Sequence, residues 1–334
     1  MLKTTDTGVS GQQYYGAWLS LNVAKNHVHR NFAEQKPIVP NSGKKVVMRY
    51  YDNLPVADTP LVEGVTPTGS DPVLHEVEIA VASYGDYIDV SDEVGLFDRD
   101  GNVLVNPNSA QNVELVGEQA NDTLDTLARD QMFKGSGVFY AGAPNVDSRD
   151  EIALSNKVSV DDFRMIVRTL MLNKVKPLTT MIQASVGQQT SPLPPSYIGF
   201  VGAMTLHDLT QLTGWIGVHK YANPGAALPD EIGALTDLDG RAIRFIYSEN
   251  DKVFAGAGAG GIDVYATLVF GREFYGETKL SGRNLINFIP KPFGSAGTED
   301  PLNQKATFGW KVEAYGCGIL KQTAGIRYEH AVTE

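Results

Sequence analysis

Two stretches with strand character enclose a segment that can be neither helix nor strand. Residues 45–52 read Lys-Val-Val-Met-Arg-Tyr-Tyr-Asp, mostly β-branched or aromatic. Residues 73–82 alternate, with His75, Val77, Ile79 and Val81 on one face and Glu76, Glu78, Ala80 and Ala82 on the other. Between them, residues 53–72 carry Pro55, Pro60, Pro67, Pro72, Gly64 and Gly69. Proline has no N–H to give a ladder and fixes its own φ, so this segment cannot continue either strand. The same prolines reduce the freedom of the unfolded chain and stiffen the loop. A loop this long is uncommon inside a compact domain and is usually functional. The pattern predicts a two-stranded excursion over 46–82 with a stiffened tip. An isolated hairpin is marginal in water, so it needs a surface to lie on, and a second copy of the chain is the natural candidate.

The remaining pattern is α+β. Residues 1–42 are polar and weakly patterned, and Trp18, Leu19, Val23 and Val28 could line one short helix. A long helix is expected over 110–134, about 37 Å at the α-helical rise. Asn108 or Ser109 would cap it, Gly135 would end it, and Val113, Val116, Ala120, Leu124, Leu127 and Met132 would form its apolar stripe. Glu114, Glu118, Asp122 and Asp125 fall on its other faces. A second helix is expected over 160–174, capped by Ser159, with Phe163, Ile166, Val167 and Leu170 as its stripe, and stopped at Lys176-Pro177. Strands are expected at 197–201, 242–247, 264–270 and 310–315.

No motif in the chain carries chemistry. Gly256-Ala-Gly-Ala-Gly-Gly261 has the spacing of a dinucleotide loop, but a helix must follow such a loop to present its N-terminus to pyrophosphate. Here residues 262–269 are β-branched and aromatic, so a surface connection is expected and no cofactor. Of six histidines only His27 and His29 lie close together, without the carboxylate or cysteine companions of a metal site. The single cysteine, Cys317, sits in an apolar stretch with no base nearby and reads as a small buried hydrophobe. No catalytic residue is expected.

The charge balance is acidic. There are 28 Lys and Arg against 39 Asp and Glu, a formal net charge of −11. Such a surface does not hold nucleic acid nonspecifically. The N-terminus begins no apolar run of signal-peptide length, and no segment reaches the apolar length of a membrane span. The expected compartment is a cytoplasm, with no membrane partner.

A collinear series of segments resembles one family. It begins with Pro60-Leu-Val-Glu-Gly-Val-Thr-Pro-Thr-Gly69, Ser83-Tyr-Gly-Asp-Tyr-Ile-Asp-Val-Ser-Asp92 and Val116-Gly-Glu-Gln-Ala-Asn-Asp122. It continues with Lys134-Gly-Ser-Gly-Val-Phe-Tyr-Ala141, Pro195-Ser-Tyr-Ile-Gly-Phe200 and Leu268-Val-Phe-Gly-Arg-Glu-Phe-Tyr-Gly276, and ends with Asp300-Pro-Leu-Asn-Gln-Lys305 and Gly309-Trp-Lys311. In this order the segments resemble the major capsid proteins of the Enquatrovirus-type (N-four-like) tailed phages, whose subunits are similar to the Hong Kong 97-type capsid fold. The resemblance implies an N-terminal arm over 1–45, an extended loop over 46–82 and a peripheral domain over 83–156 with a spine helix at 110–134. It further implies an axial domain over 157–255 and return strands of the peripheral domain over 256–334.

The implied function is geometric: the chain would assemble into pentamers and hexamers of an icosahedral shell around phage double-stranded DNA, without reading its sequence. Arg49, Tyr51, Pro60, Glu63, Gly64, Pro67, Glu76 and Glu78 are the expected subunit-interface residues, because unpaired strand edges on the loop offer strand addition to a neighbour. Only about 45 residues precede the loop, so a separate scaffolding protein is expected, with a portal protein and a possible decoration protein as further partners. Assembly would occur in the host bacterial cytoplasm, and the product would be the virion. An encapsulin-like compartment, a phage tail or fibre protein and a nucleotide-dependent oxidoreductase are the alternatives. They are told apart by packaged enzyme cargo, by rods or trimers, and by dinucleotide binding.

Overall fold

A computed structural model describes residues 28–39, 43–52, 54–61, 63–66, 69–93, 110–182, 192–221, 227–282, 284–295 and 297–333. Three sheets organise them. The chain enters through a turn and β1 (Glu34–Ile38), then forms β2 (Lys45–Tyr51) and β3 (Leu74–Ala80), an antiparallel pair in register from Lys45↔Ala80 to Tyr51↔Leu74. The expected alternation is present: His75, Val77 and Ile79 are turned inward, and Glu76, Glu78 and Ala80 face solvent. The Val81 N–H donates to the Lys44 carbonyl, and β4 (Ala82–Ser91) begins at the next residue, so the hairpin runs directly into the body.

The long helix α1 (Ala110–Met132) follows; its 23 residues span about 35 Å. Val116, Ala120, Leu124 and Met132 are buried as expected, and Leu127 is partly so. The Asn108 and Ser109 cap and the side chain of Val113 lie outside the described residues. Gly135 does not close the helix in the left-handed conformation; its N–H donates to the Met132 carbonyl in a further turn, with no positive φ. The acidic faces also differ from a plain solvated helix. Asp125 is buried against His29, whose backbone N–H donates to Oδ1 at 3.0 Å and whose Nδ1 lies 2.7 Å from Oδ2. Burial pushes the Asp125 carboxyl up, but the His29 hydrogen bonds and charge outweigh it and hold the group below its ordinary range.

α1 lies on a five-stranded sheet. Its core strand is β14 (Lys305–Ile319), joined on the way by β12 (Tyr275–Leu280) and β13 (Ile286–Lys291). The first half of β14 pairs with β4 on one edge and β13 on the other, and its last residues pair with β12. The strand bulges between Val312 and Tyr315, where Ala314 takes a φ of 56°, as it passes from one set of partners to the other. Ala306, Phe308, Trp310 and Val312 are buried, and the last three pack under Val116, Ala120 and Leu124. Trp310 Nε1 donates to Gln119 Oε1 at 3.1 Å. β1 adds to the far edge of this sheet, parallel to β12. Residues 28–38, expected as the end of an unpatterned arm, are therefore held by the chain's own body.

The larger sheet has eight strands. They are β5 (Val138–Tyr140), β6 (Ser196–Val201), β7 (Trp215–Gly217), β8 (Glu231–Leu238), β9 (Arg241–Tyr247), β10 (Lys252–Phe254), β11 (Val264–Phe270) and β15 (Gly325–His330). The order is β5-β15-β11-β6-β9-β8-β7, with β10 on β11. It is mixed: β6∥β9 and β15∥β5 are parallel. The sheet draws strands from both sides of residue 255, so the boundary expected there is not a sheet boundary. Helix α2 (Val160–Leu172) buries the expected stripe Phe163, Ile166, Val167 and Leu170 in this sheet's core, where Phe163 meets Phe245 and Tyr328 edge-on. The Ser159 hydroxyl caps it by accepting from the Asp162 N–H at 3.1 Å. A short helix α3 (Ala203–Thr210) follows β6.

α1 meets the eight-stranded sheet at the turn between β9 and β10. Asn250 Nδ2 donates to Thr126 Oγ1 at 2.7 Å, and Arg129 Nη1 donates to the Asp251 carbonyl at 3.1 Å. Burial pushes the Asp251 carboxyl up to about 6. A folded value above the unfolded one means that the group's contribution is full below about pH 4 and is lost as pH rises through 6. The Asp251→Asn variant is therefore expected to gain stability over wild type as pH rises from 4 to 7. Melting temperatures of both across that range measure it, and parallel profiles would exclude the assignment.

Candidate assembly surface

The base of the β2–β3 hairpin rests on glycines. Met48 and Ile79 are buried on its inner face, with Leu320 beside them and Val46 and Val77 half-buried around them. A Cβ built at Gly276 would lie 2.6 Å from the Met48 sulfur, and one at Gly318 would lie 3.0 Å from Ile79 Cγ1. These two glycines face each other across β12 and β14. Their missing side chains are what let two bulky residues seat flush on the sheet. Lys36 Nζ adds a bond from β1 to the Val47 carbonyl at 2.8 Å.

The outer face carries two cross-strand ion pairs, Lys45–Glu78 and Arg49–Glu76, each at 2.7 Å; on the other face His75 Nε2 lies 2.7 Å from Asp52 Oδ2. Three expected interface charges, Arg49, Glu76 and Glu78, thus already have partners within the hairpin. Side chains of Arg49 and Glu76 are 61% and 47% exposed, so the pair is well solvated. Arg49→Ala is expected to lower stability by about 1 kcal/mol or less. A larger drop in chemical denaturation would show that Arg49 has a structural role beyond this pair.

Beyond Asp52 and Val73, joined by the last ladder bond, the described tip has no regular structure. Pro60, Glu63 and Gly64 are exposed there, Tyr51 is exposed at the end of β2, and Pro67 lies outside the described residues. The tip also exposes Leu54, Val56, Leu61, Val65 and Val73, with Val56 at 85% and Leu61 at 78%. Sequence reasoning chose the charges and turn residues and missed these aliphatics. The available signal was their placement between prolines, in a stretch that otherwise has turn composition. No Lys or Arg occurs between Arg49 and Arg99, whereas Asp52, Asp58, Glu63 and Asp71 do, so the tip is acidic as well as apolar.

A second exposed surface lies on the side of the five-stranded sheet away from α1. Gly85 and Gly309 leave a groove of about 630 Å³ there, lined also by Tyr87, Ile289, Lys291 and Lys311. Tyr87 and Ile289 are exposed.

Among the described residues, no set elsewhere suggests catalysis. The loop at 256–261 joins β10 to its antiparallel neighbour β11, and Gly256, Gly260 and Gly261 take positive φ. It leads into a strand, as its sequence predicts. Cys317 packs against the core, and burial with the Glu277 charge pushes its thiol up to about 12, away from thiolate reactivity. His29 is taken up by Asp125, and His27 lies outside the described residues.

No protein-family model matches the chain, and no curated protein matches it. Solved structures do match. The capsid of Ralstonia phage GP4 is similar at a TM-score of 0.65 and 13% identity, over 90% of this chain and 87% of that one. The capsid of cyanophage P-SCSP1u gives 0.58 and 13%, over 92% and 89%. The cyanophage Pam1 capsid gives 0.57 and 14%, over 92% and 93%. This is the Hong Kong 97-type capsid fold. At such identities the capsid fold itself is what is shared. The hairpin is fixed at its base and exposes aliphatic side chains at its tip.

Proposed function

We propose that the chain is the major capsid protein of a tailed bacteriophage, of the Enquatrovirus-type group, and that it acts by assembling with copies of itself into the closed head shell and not by catalysis. The observation that carries this reading is the hairpin. A monomer gains nothing from holding Leu54, Val56, Leu61 and Val65 in water, whereas an interface withdraws them. On this reading residues 1–45 are the arm, 46–82 the extended loop, and 83–156 the peripheral domain with α1 as its spine. Residues 157–255 supply most of the axial domain, to which β5, β11 and β15 add strands, and the rest of 256–334 returns to the peripheral domain.

A contact of this kind is heterologous, the tip of one copy on the body of the next, and closes when the rotation between copies allows. Each contact can be weak because every subunit is held by several neighbours at once. Pentamers and hexamers, a separate scaffolding protein, a portal, a possible decoration protein and enclosure of DNA without sequence reading belong to the same proposal, as do assembly in the bacterial cytoplasm and residence in the virion. The acidic balance of the chain suits a wall that must not trap DNA.

Negative-stain electron microscopy with sedimentation of the purified chain, alone and co-expressed with its candidate scaffold, tests the reading. Closed polyhedral particles in either preparation are expected. A small discrete oligomer in both would overturn it.

A further inference from the structure

Four segments meet at one corner of the body: the end of α1, the end of α2, the turn between β11 and β12, and the turn before β15. The Ser136 N–H donates to Gln322 Oε1 at 3.1 Å, Asn173 Nδ2 to the Thr323 carbonyl at 3.3 Å, and the Arg272 N–H to the Lys176 carbonyl at 3.0 Å. These segments, 133–137, 172–177, 271–274 and 321–324, carry Lys134, Lys174, Lys176, Arg272 and Lys321 against one carboxylate, Glu273. Five cations less one carboxylate leave +4, in a chain whose balance is −11. Glu273 lines a separate cavity under the hairpin, with Lys36 and Arg49. Lys134, Lys174, Lys176 and Arg272 are exposed, and Lys321 is half-buried. Among the described residues none of the five is in an ion pair. The dipoles of α1 and α2 favour a cation at each helix C-terminus, which accounts for Lys134 and Lys174. Lys176, Arg272 and Lys321 have no such role. Unpaired like charges repel one another, and a bound polyanion reverses that repulsion. A groove of about 220 Å³ opens at the same corner, lined by Ser136, Thr169, Asn173, Gln322 and Thr323 as well as Phe139.

We infer that this corner binds the phosphate backbone of duplex DNA, weakly and without reading bases. Lys and Arg together with Ser, Thr, Asn and Gln are the side chains that contact phosphate and sugar, and such contacts carry no sequence information. The cations are spread over four segments, which suits a row of phosphates better than one small anion. Binding of this kind comes from release of the counterions condensed on the duplex, so it weakens steeply with salt. The inference deepens the shell reading and rests on it for the source of the duplex: in a shell this corner would face the interior. An otherwise acidic wall then meets DNA at one patch per subunit, by a contact too weak to trap it.

Fluorescence anisotropy of a labelled duplex of about 20 base pairs, titrated with the full-length chain between about 50 and 200 mM sodium chloride, tests it. Wild type is expected to bind at the lower salt, with a log–log salt slope approaching about −4. The Lys134→Gln, Lys174→Gly, Lys176→Gln triple variant changes three exposed residues. Its fold is kept: Lys174 closes α2 at a φ of 55°, where glycine is the ordinary residue. That variant should bind about tenfold more weakly or worse at low salt, with a slope shallower by about 2 to 3. A control, Lys291→Gln, Lys305→Gln, Lys311→Gln, removes the same charge from the groove on the far side of the five-stranded sheet and should bind like wild type. No binding by wild type at low salt, or an equal loss in both variants, overturns the site. A triple variant that binds DNA normally but fails to form shells would give the corner to the acidic hairpin tip of a second copy, and overturns it too. Binding is read on free subunits and shells by microscopy, so wild-type shells without DNA binding sink the site and leave the shell reading standing.

Discussion

Deleting residues 56–68 is expected to leave a subunit that folds and melts like the intact chain but does not close into shells. The reason is the division of labour within the hairpin. Its base is fixed by Met48 and Ile79 on Gly276 and Gly318, by the ladder from Lys45 to Tyr51, and by the direct passage into β4. None of these contacts involves the deleted residues. Shortening a surface loop changes closure entropy only slowly with length, so the fold should be nearly indifferent. Assembly should not be. Each aliphatic side chain that the tip withdraws from water at an interface contributes about 1.5–3 kcal/mol, and the deletion removes Val56, Leu61 and Val65 from every contact in the shell at once. Circular dichroism and melting report the fold, and sedimentation with microscopy reports the shell. Normal shells from the deleted chain would take the tip out of the assembly mechanism; a collapsed melting transition would show that the tip is part of the subunit's own core.

The second large effect concerns the entrance of the chain. Glu277 on β12 is 1% exposed, and it accepts from Arg30 Nε and from Gln35 Nε2. Arg30 is itself only 10% exposed in its side chain. This pair, with Tyr275 donating to the His29 carbonyl and β1 lying parallel to β12, holds residues 28–38 on the body. Removing one partner of a buried pair leaves the other charge without compensation. Glu277→Ala is expected to cost about 3–5 kcal/mol and to open residues 28–38 to proteolysis. Removing both charges is far milder, because a buried ion pair recovers little more than its own desolvation. The Arg30→Met, Glu277→Leu double variant should therefore melt above the single variant. If Glu277→Ala melts like wild type, the pair does not anchor the entrance. If the double variant falls below the single, the loss comes from shape and not from charge.

Several elements were legible because their signals are local. Period-two alternation over 73–82, the caps and stripes of α2, the apolar stripe of α1 and the strand after the glycine loop each follow from residues close in sequence. The prolines and glycines of 53–72 marked a projecting loop without any knowledge of its surroundings. The eight interface residues expected there show the boundary of that reasoning. Pro60, Glu63 and Gly64 are exposed at the tip and Tyr51 at the end of β2, but Arg49 and Glu76 face each other across the hairpin, and Glu78 faces Lys45, because strand register decides which charges meet.

Contacts between distant segments belong to the tertiary structure alone. Sequence spacing placed Asp122 and Asp125 on polar faces of α1; the fold buried one against His29, 96 positions away, and left the other in an acidic cleft opposite Glu249. Likewise nothing local tells β1 to lie parallel to β12, or β11 and β15 to enter the sheet of β6 and β9. Periodicity fixes which face of an element is apolar, since that depends only on backbone geometry. Which other element covers that face depends on shape and register across the whole chain, and it decided the hairpin's glycine seat, the anchored entrance and the acidic cleft.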